Sequence, residues 1–199
     1  MRTEGQPEVG EGALYILQAF LTKTFDRKKV VLTLADEPAV FALASDPEIA
    51  RFVRFEAHRT PADTCAFLRL VHQHYEHGDP FAWAIVRCAD DRLIGSCGFV
   101  RQAPERHAAE IGYWLGRAYW GKGYAVEAAR ALVRYGFEQM HLERVEAKCF
   151  VQNRAGQRVI EKLGMKYEGT DCSEMIKGEY PELRLYAVAR QDWDRAETH

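Results

Sequence analysis

The stretch Trp114-Leu-Gly-Arg-Ala-Tyr-Trp-Gly-Lys-Gly-Tyr-Ala-Val-Glu127 decides how this chain is read. It leaves an apolar strand pattern, Ala109-Glu-Ile-Gly-Tyr-Trp-Leu115, and enters a helix pattern running from Ala125 to about Gln139. In that helix Ala128, Ala129, Leu132, Val133 and Phe137 recur at helical spacing. Gly121 and Gly123 let the backbone take positive φ and approach a ligand closely. The amides of the helix's first turn have no intrahelical partner, and the helix dipole favours an anion beside them. Lys122 adds a positive charge on a side chain free to reach a phosphate. A diphosphate is the natural guest, although glycines at this spacing also make ordinary turns. Two other phosphate-loop patterns do not fit: Lys122 is followed by Gly123 and not by a hydroxyl residue, and position 126 is Val.

Outward from this loop the chain alternates short strands and helices. Upstream, Lys29-Val-Val-Leu-Thr-Leu34 reads as a strand. Asp36 caps a helix with Pro38 in its first turn, and Asp46-Pro47 starts another from Glu48 to about Val53. Thr60-Pro61 opens a longer helix with Phe67, Leu68, Val71 and Tyr75 on one stripe. The runs Phe81–Val86 and Leu93–Val100, parted by Ala89-Asp-Asp-Arg92, form a hairpin. Downstream, Val145, Ala147, Cys149 and Val151 alternate with polar neighbours as in a half-buried strand. Ala155–Leu163 forms a short helix closed by Gly164, and Lys166–Gly169 and Leu183–Ala189 supply the last strands. This order predicts an α/β domain with one mixed, mostly antiparallel sheet and helices on both faces. Residues 1 to about 12, rich in Gly, Glu and Pro, read as a loose tail. Residues 13–24 suit either a helix or an early strand, and residues 13–199 read as a single domain.

Composition narrows the function. At 199 residues with 47% apolar side chains, the chain can bury one substantial core. A net charge of −2 with no basic block argues against direct nucleic-acid binding. Five scattered cysteines without a Cys-x-x-Cys pair indicate neither a disulfide framework nor a metal site. Ala13–Leu21 is too short to span a bilayer and follows acidic residues, so a cytoplasmic protein with no membrane partner is expected. A homodimer is left open.

A second landmark, Phe150-Val-Gln-Asn-Arg-Ala-Gly-Gln-Arg-Val-Ile-Glu-Lys-Leu-Gly164, follows one helix and one strand later. Asn153 sits where its amide can either cap the next helix or bond a ligand carbonyl. If the sheet splays, the ends of both strands border one cleft.

Taken together, Glu110–Leu115, the loop Tyr119–Ala128, and Asn153 with Glu161-Lys-Leu-Gly164 resemble the GNAT superfamily of acetyltransferases, most closely its RimJ/RimL-type branch. Ser45-Asp-Pro-Glu48, Ile94-Gly95 and Gly178-Glu-Tyr180 are similar too, so the likeness runs from about Val30 to Trp193. It implies a sheet splayed at the cofactor site and an acetyltransferase domain using acetyl-CoA without a metal. Backbone groups of Tyr113, Trp114 and Leu115 would pair with the pantetheine arm as if it were an added strand. Amides of Gly121, Lys122, Gly123, Tyr124, Ala125 and Val126 would hold the pyrophosphate, and Asn153 would contact pantetheine near the thioester. Two positions depart from the pattern. Trp120 replaces a polar residue, and Gly156 stands where the family often has a serine that contacts or protonates the leaving thiolate.

Acetyl transfer to an amine needs a base to take the ammonium proton. Glu110 is the leading candidate, because its side chain alternates with Ile111, Tyr113 and Leu115 along the strand that would hold pantetheine. A salt-bridged strand Glu is its bland reading, and His107 lies in a charged turn nearby. Tyr124, Cys149 and water are the candidates for the acid, and Lys162 for a nucleotide phosphate. The expected acceptor is a primary amine, either a protein N-terminus or a small molecule of aminoglycoside or polyamine type. A non-catalytic acyl-CoA sensor is the alternative of another class.

Overall fold

A computed structural model describes residues 31–79 and 81–197. The amino-terminal tail and the ambiguous segment 13–24 lie outside the described residues. The first expected strand is not formed in its described part. Thr33 and Asp36 instead close a capping box, with the Thr33 amide donating to Asp36 Oδ2 at 2.8 Å and the Ala35 amide to Thr33 Oγ1 at 3.3 Å. These polar side chains win the local backbone and turn it into a 3-10 helix, Leu34–Asp36, while Leu32 is fully buried.

Three helices follow: α1 (Glu37–Ala44), α2 (Pro47–Ala50) and α3 (Pro61–Glu76). Helix α2 starts where Asp46 Oδ1 accepts the Glu48 amide at 2.9 Å, and it is shorter than its sequence pattern suggests. On α3 the stripe is confirmed, with Leu68, Val71 and Tyr75 buried and Phe67 half-buried. Then come β1 (Trp83–Arg87), β2 (Arg92–Ala103), β3 (Ala108–Leu115), α4 (Tyr124–Glu138), β4 (Arg144–Phe150), α5 (Arg154–Lys162), β5 (Lys166–Asp171), β6 (Leu183–Ala189) and α6 (Arg190–Glu197). Val151 falls in the turn after β4 and not in the strand. Helix α6 has no counterpart in the sequence reading: its buried Trp193 is a single apolar residue among charged ones, too little for a periodic signal.

Among the described residues the strands make one six-stranded sheet in the order β1-β2-β3-β4-β6-β5. All neighbours are antiparallel except β3 and β4, which α4 joins by a crossover and which run parallel. Helix α4 packs on the sheet through buried aromatic and aliphatic side chains. Trp83 and Phe99 project from β1 and β2 onto Tyr135, with ring centroids 5.4 and 6.2 Å away, and Leu132 and Val133 are fully buried beside them. This aromatic contact fixes the position of the loop that opens α4. Phe99→Ala is expected to cost about 3–5 kcal/mol in urea unfolding; a loss under about 1 kcal/mol would show that the cluster does not anchor the helix.

Candidate active site

Parallel strands β3 and β4 pair over only three positions: Ala108 with Arg144, Ala109 with Val145 and Glu110 with Glu146. Beyond Glu110 the pairing stops, so the rest of β3 presents an edge. The Gly116 amide donates to Ile94 O at 2.9 Å, which puts Gly116, Trp114 and Gly112 in hydrogen-bonded register with β2. By alternation the peptide groups of Tyr113 and Leu115 point the other way, into the opening. Trp114 is therefore spent on β2, and only its two neighbours offer backbone to a ligand lying along β3. The carbonyl of Leu115 already accepts Trp120 Nε1–H at 2.8 Å.

The opening is the mouth of a cleft of about 510 Å³. One wall is the end of β3 with the loop after it. Gly121 and Gly123 there have φ of +73° and +89°, with open space where a Cβ would stand. These left-handed conformations turn the loop into α4, whose first residues Ala125 and Val126 also line the cleft. Trp120, 46% exposed, stands at the rim. The opposite wall is α5, and Ile49, Phe52 and Val53 close the side near α2.

Asn153 begins α5. Its Oδ1 accepts the Gly156 amide at 2.9 Å, so it is the helix cap and also a residue lining the cleft. A Cβ on Gly156 would lie 2.6 Å from Asn153 Nδ2 and 2.9 Å from Cys149 Sγ. That crowding accounts for glycine where the family often carries serine. Tyr113 crosses the opening, and its hydroxyl donates to Gly156 O at 3.3 Å; burial raises its pKa. Burial also pushes the Cys149 thiol up to about 12, which makes it a poor nucleophile at neutral pH.

Alternation sends Glu110 and Trp114 to the other face of β3. Trp114 packs on Phe55 at 5.8 Å. Glu110, 3% exposed, receives Arg54 Nη2 at 2.5 Å. Arg54 also holds Glu174 through Nε at 2.6 Å, and Lys148 joins Glu174 at 3.3 Å to Asp171 at 2.6 Å. Arg54 holds the Glu174 carboxylate below its ordinary range, and Lys148 does the same for Asp171. Arg101 Nη2 also reaches Glu174 at 3.5 Å, and these groups together form an ionic network beside the cleft.

Of the residues singled out in the sequence, Tyr113, Trp114, Leu115, Gly121, Gly123, Ala125, Val126, Asn153 and Lys162 come together around the cleft. Glu110, Lys122 and Tyr124 do not line it, and neither do the alternatives His107 and Cys149. Glu110 is held in the ionic network. Lys122 is exposed, with its ammonium 6.0 Å from the Tyr119 ring. The Tyr124 hydroxyl is engaged with Arg87, so it is poorly placed to serve as an acid within the cleft. Arg54 and the wall Ile49–Val53 escaped sequence reading, since no local pattern links residues more than fifty positions from Glu110 and Tyr113. Arg154 and Arg158 also escaped, though their spacing of four before Lys162 was a visible signal.

Residues 30–166 match the acetyltransferase (GNAT) domain family. The chain belongs to the GNAT acetyltransferases. It is 28% identical over 163 residues to the N-acetyltransferase p20 of Bacillus licheniformis, covering 81% of this chain and 92% of that one. It is 27% identical over 143 residues to the [ribosomal protein uS5]-alanine N-acetyltransferase of Escherichia coli, covering 71% and 74%. Among solved structures, a GNAT-family acetyltransferase from Bacillus anthracis superposes with a TM-score of 0.70 at 30% identity, over 81% of this chain and 93% of that one. As a GNAT enzyme the chain is an acyltransferase that uses acetyl-CoA as cosubstrate. The cleft fits that molecule: an exposed strand edge suits an amide-bearing arm, and the glycine loop at a helix start suits a diphosphate. Among the described residues there is no group of three His, Cys, Asp or Glu able to hold a metal, and no helix long and apolar enough to cross a membrane.

Two outcomes follow from this geometry. Gly123→Asp is expected to abolish acetyl-CoA binding in calorimetry while the fold persists by circular dichroism, because a side chain at φ +89° strains the loop and its charge repels phosphate. Undiminished affinity would remove the diphosphate from this loop. The second concerns acid. Glu174 and Asp171 have folded-state pKa values below their unfolded ones, so the stability they add is complete above about pH 4–5 and is lost as pH falls through the folded values. Glu174→Gln is therefore expected to flatten the fall in Tm below about pH 4; an unchanged acid profile would mean the network adds no pH-dependent stability.

Proposed function

We propose that this GNAT enzyme acetylates a primary amine, a protein N-terminus or a small molecule, by direct attack within a ternary complex. The observation that carries the reading is the unpaired edge of β3 facing the glycine loop across one cleft. The relation to the uS5-alanine acetyltransferase of E. coli favours a protein N-terminus and the RimJ/RimL-type branch.

In this reading acetyl-CoA supplies the acetyl group as a thioester; as the amine's C–N bond forms the C–S bond breaks, and the coenzyme A thiolate leaves, taking a proton from water. The Tyr113 and Leu115 peptides align the pantetheine arm, and the amides of residues 121–126 hold the pyrophosphate. Asn153 holds the arm near the thioester while capping α5. A free β3 amide donates to the oxygen that gains charge as the amine attacks. Glu110 takes the amine's proton from the opposite face of β3. Arg54 occupies one of its oxygens, so the proton reaches the other oxygen directly or through water. The buried Cys149 favours direct attack over an acyl-enzyme.

A thiol-release screen with acetyl-CoA against N-terminal peptides, polyamines and aminoglycosides tests the acceptor. Turnover with peptides is expected; turnover with small amines alone would reassign it. Glu110→Gln is expected to lower kcat at least about 100-fold at neutral pH with acetyl-CoA affinity unchanged. A wild-type rate in a variant of unaltered Tm would exclude Glu110 as the base.

A further inference from the structure

The charges of the ionic network around Glu110 are layered. Its key carboxylates lie inward, Glu110 at 3% and Glu174 at 11% exposure, whereas Arg54 at 34% and Arg101 at 58% face solvent. Lys148 is nearly as buried as Glu174, and its partner Asp171 is intermediate at 23%. An acceptor approaching Glu110 on this face of β3 therefore meets two guanidinium groups first.

A break in strand register puts Arg101 there. Phe99 pairs with Ile111 and packs on Tyr135 of α4, so strict alternation would send Arg101 to the α4 side as well. The register shifts at Val100, and Arg101 pairs instead with Glu110. Bulges of this kind re-aim side chains beside active sites. Directly opposed residues on one face lie about 5 Å apart at Cβ, which makes Arg101 the cross-strand neighbour of the candidate base. Among the described residues its one carboxylate contact is with Glu174 Oε1, at 3.5 Å. Arg54 Nε donates to that same oxygen at 2.6 Å, and Arg54 Nη2 serves Glu110 and Glu174. The charges are matched, but donors are left over. Arg54 Nη1 and most of the Arg101 guanidinium have no hydrogen-bond partner among the described residues.

We propose that Arg101 and Arg54 make the enzyme select an amine that carries a carboxylate close by. An acidic side chain within the first two residues of a protein N-terminus supplies that carboxylate, as does a free acidic amino acid. This selection presupposes Glu110 as the base, as proposed above. The acceptor's carboxylate takes the spare donors of the two guanidinium groups, a charge-assisted contact, while its amine lies at Glu110. A polyamine or an aminoglycoside brings further ammonium groups against the same cations, and that repulsion rejects it.

Thiol release by the full chain with saturating acetyl-CoA tests the proposal. The acceptors are three C-terminally amidated peptides that differ only in Glu, Gln or Lys at the second position, with glutamate, glutamine and spermidine as small amines. The wild type is expected to favour the Glu peptide over the Gln peptide at least about tenfold in kcat/KM, with the Lys peptide and spermidine lowest. In Arg101→Gln the ratio of Glu to Gln is expected to fall to within about twofold, and Arg101→Lys is expected to restore part of it. Arg106→Gln, which removes an exposed cation beside Glu146, is expected to keep the wild-type ratio. Each ratio is taken within one variant, so a loss of folded enzyme cancels from it. Full preference in Arg101→Gln, or an equal loss in Arg106→Gln, would overturn the proposal. So would a wild type that treats the Glu and Gln peptides alike, or that prefers the Lys peptide or spermidine. Turnover of glutamate above glutamine, with no peptide turned over, would support the carboxylate site and name an amino acid as its source. Absence of thiol release from every amine would overturn the proposed amine acetylation together with this selection.

Discussion

Everything functional in this molecule depends on two parallel strands that part after three paired residues. A strand edge is ordinarily a liability, because its peptide groups invite another strand. On β3 the exposed run is short, it faces a cleft, and the Trp120 indole closes its far end at the Leu115 carbonyl. What remains is backbone able to pair with an extended, amide-bearing ligand and little else. The gap is held open from both sides. Helix α4 is pinned to the sheet by Trp83, Phe99 and Tyr135, and α5 follows β4 with Asn153 capping its first turn.

The alternation of β3 then divides the chemistry between two faces. Tyr113 points to α5 and the cofactor wall, while Glu110 and Trp114 point to the segment after α2. Charge follows the same division. On one face Glu110, Glu174 and Asp171 are matched by Arg54, Lys148 and Arg101 in one network, where each charge has a partner. On the other, three cations (Arg154, Arg158 and Lys162) and the amides of a helix start face a cleft, and among the described residues the three cations form no ion pair. A self-satisfied network keeps a carboxylate in place; an unsatisfied wall attracts a polyanion.

Much of this was legible in the chain. Gly121 and Gly123 before an apolar helix, with Asn153 one strand later, located the cleft, and period-two alternation placed Glu110 opposite Tyr113. The misses share a cause. Val31–Leu34 has strand composition, but two polar side chains three apart redirected the backbone. Helix α6 hides because one buried tryptophan makes no period. Tyr124 and Lys122 stand in the loop motif, yet their side chains turn to Arg87 and Tyr119, a direction that spacing does not encode.

The sequence by itself determined the local conformations: positive φ at the loop glycines, the helix starts, and the faces of each strand. These follow from sterics, capping and periodicity within a few residues. The tertiary structure alone decided that Arg54 closes on Glu110, that a Cβ at position 156 would crowd Cys149 and Asn153, and that β3 is left with an open edge. Those depend on how far the sheet diverges and on which distant segments pack against it, and no short-range rule specifies either.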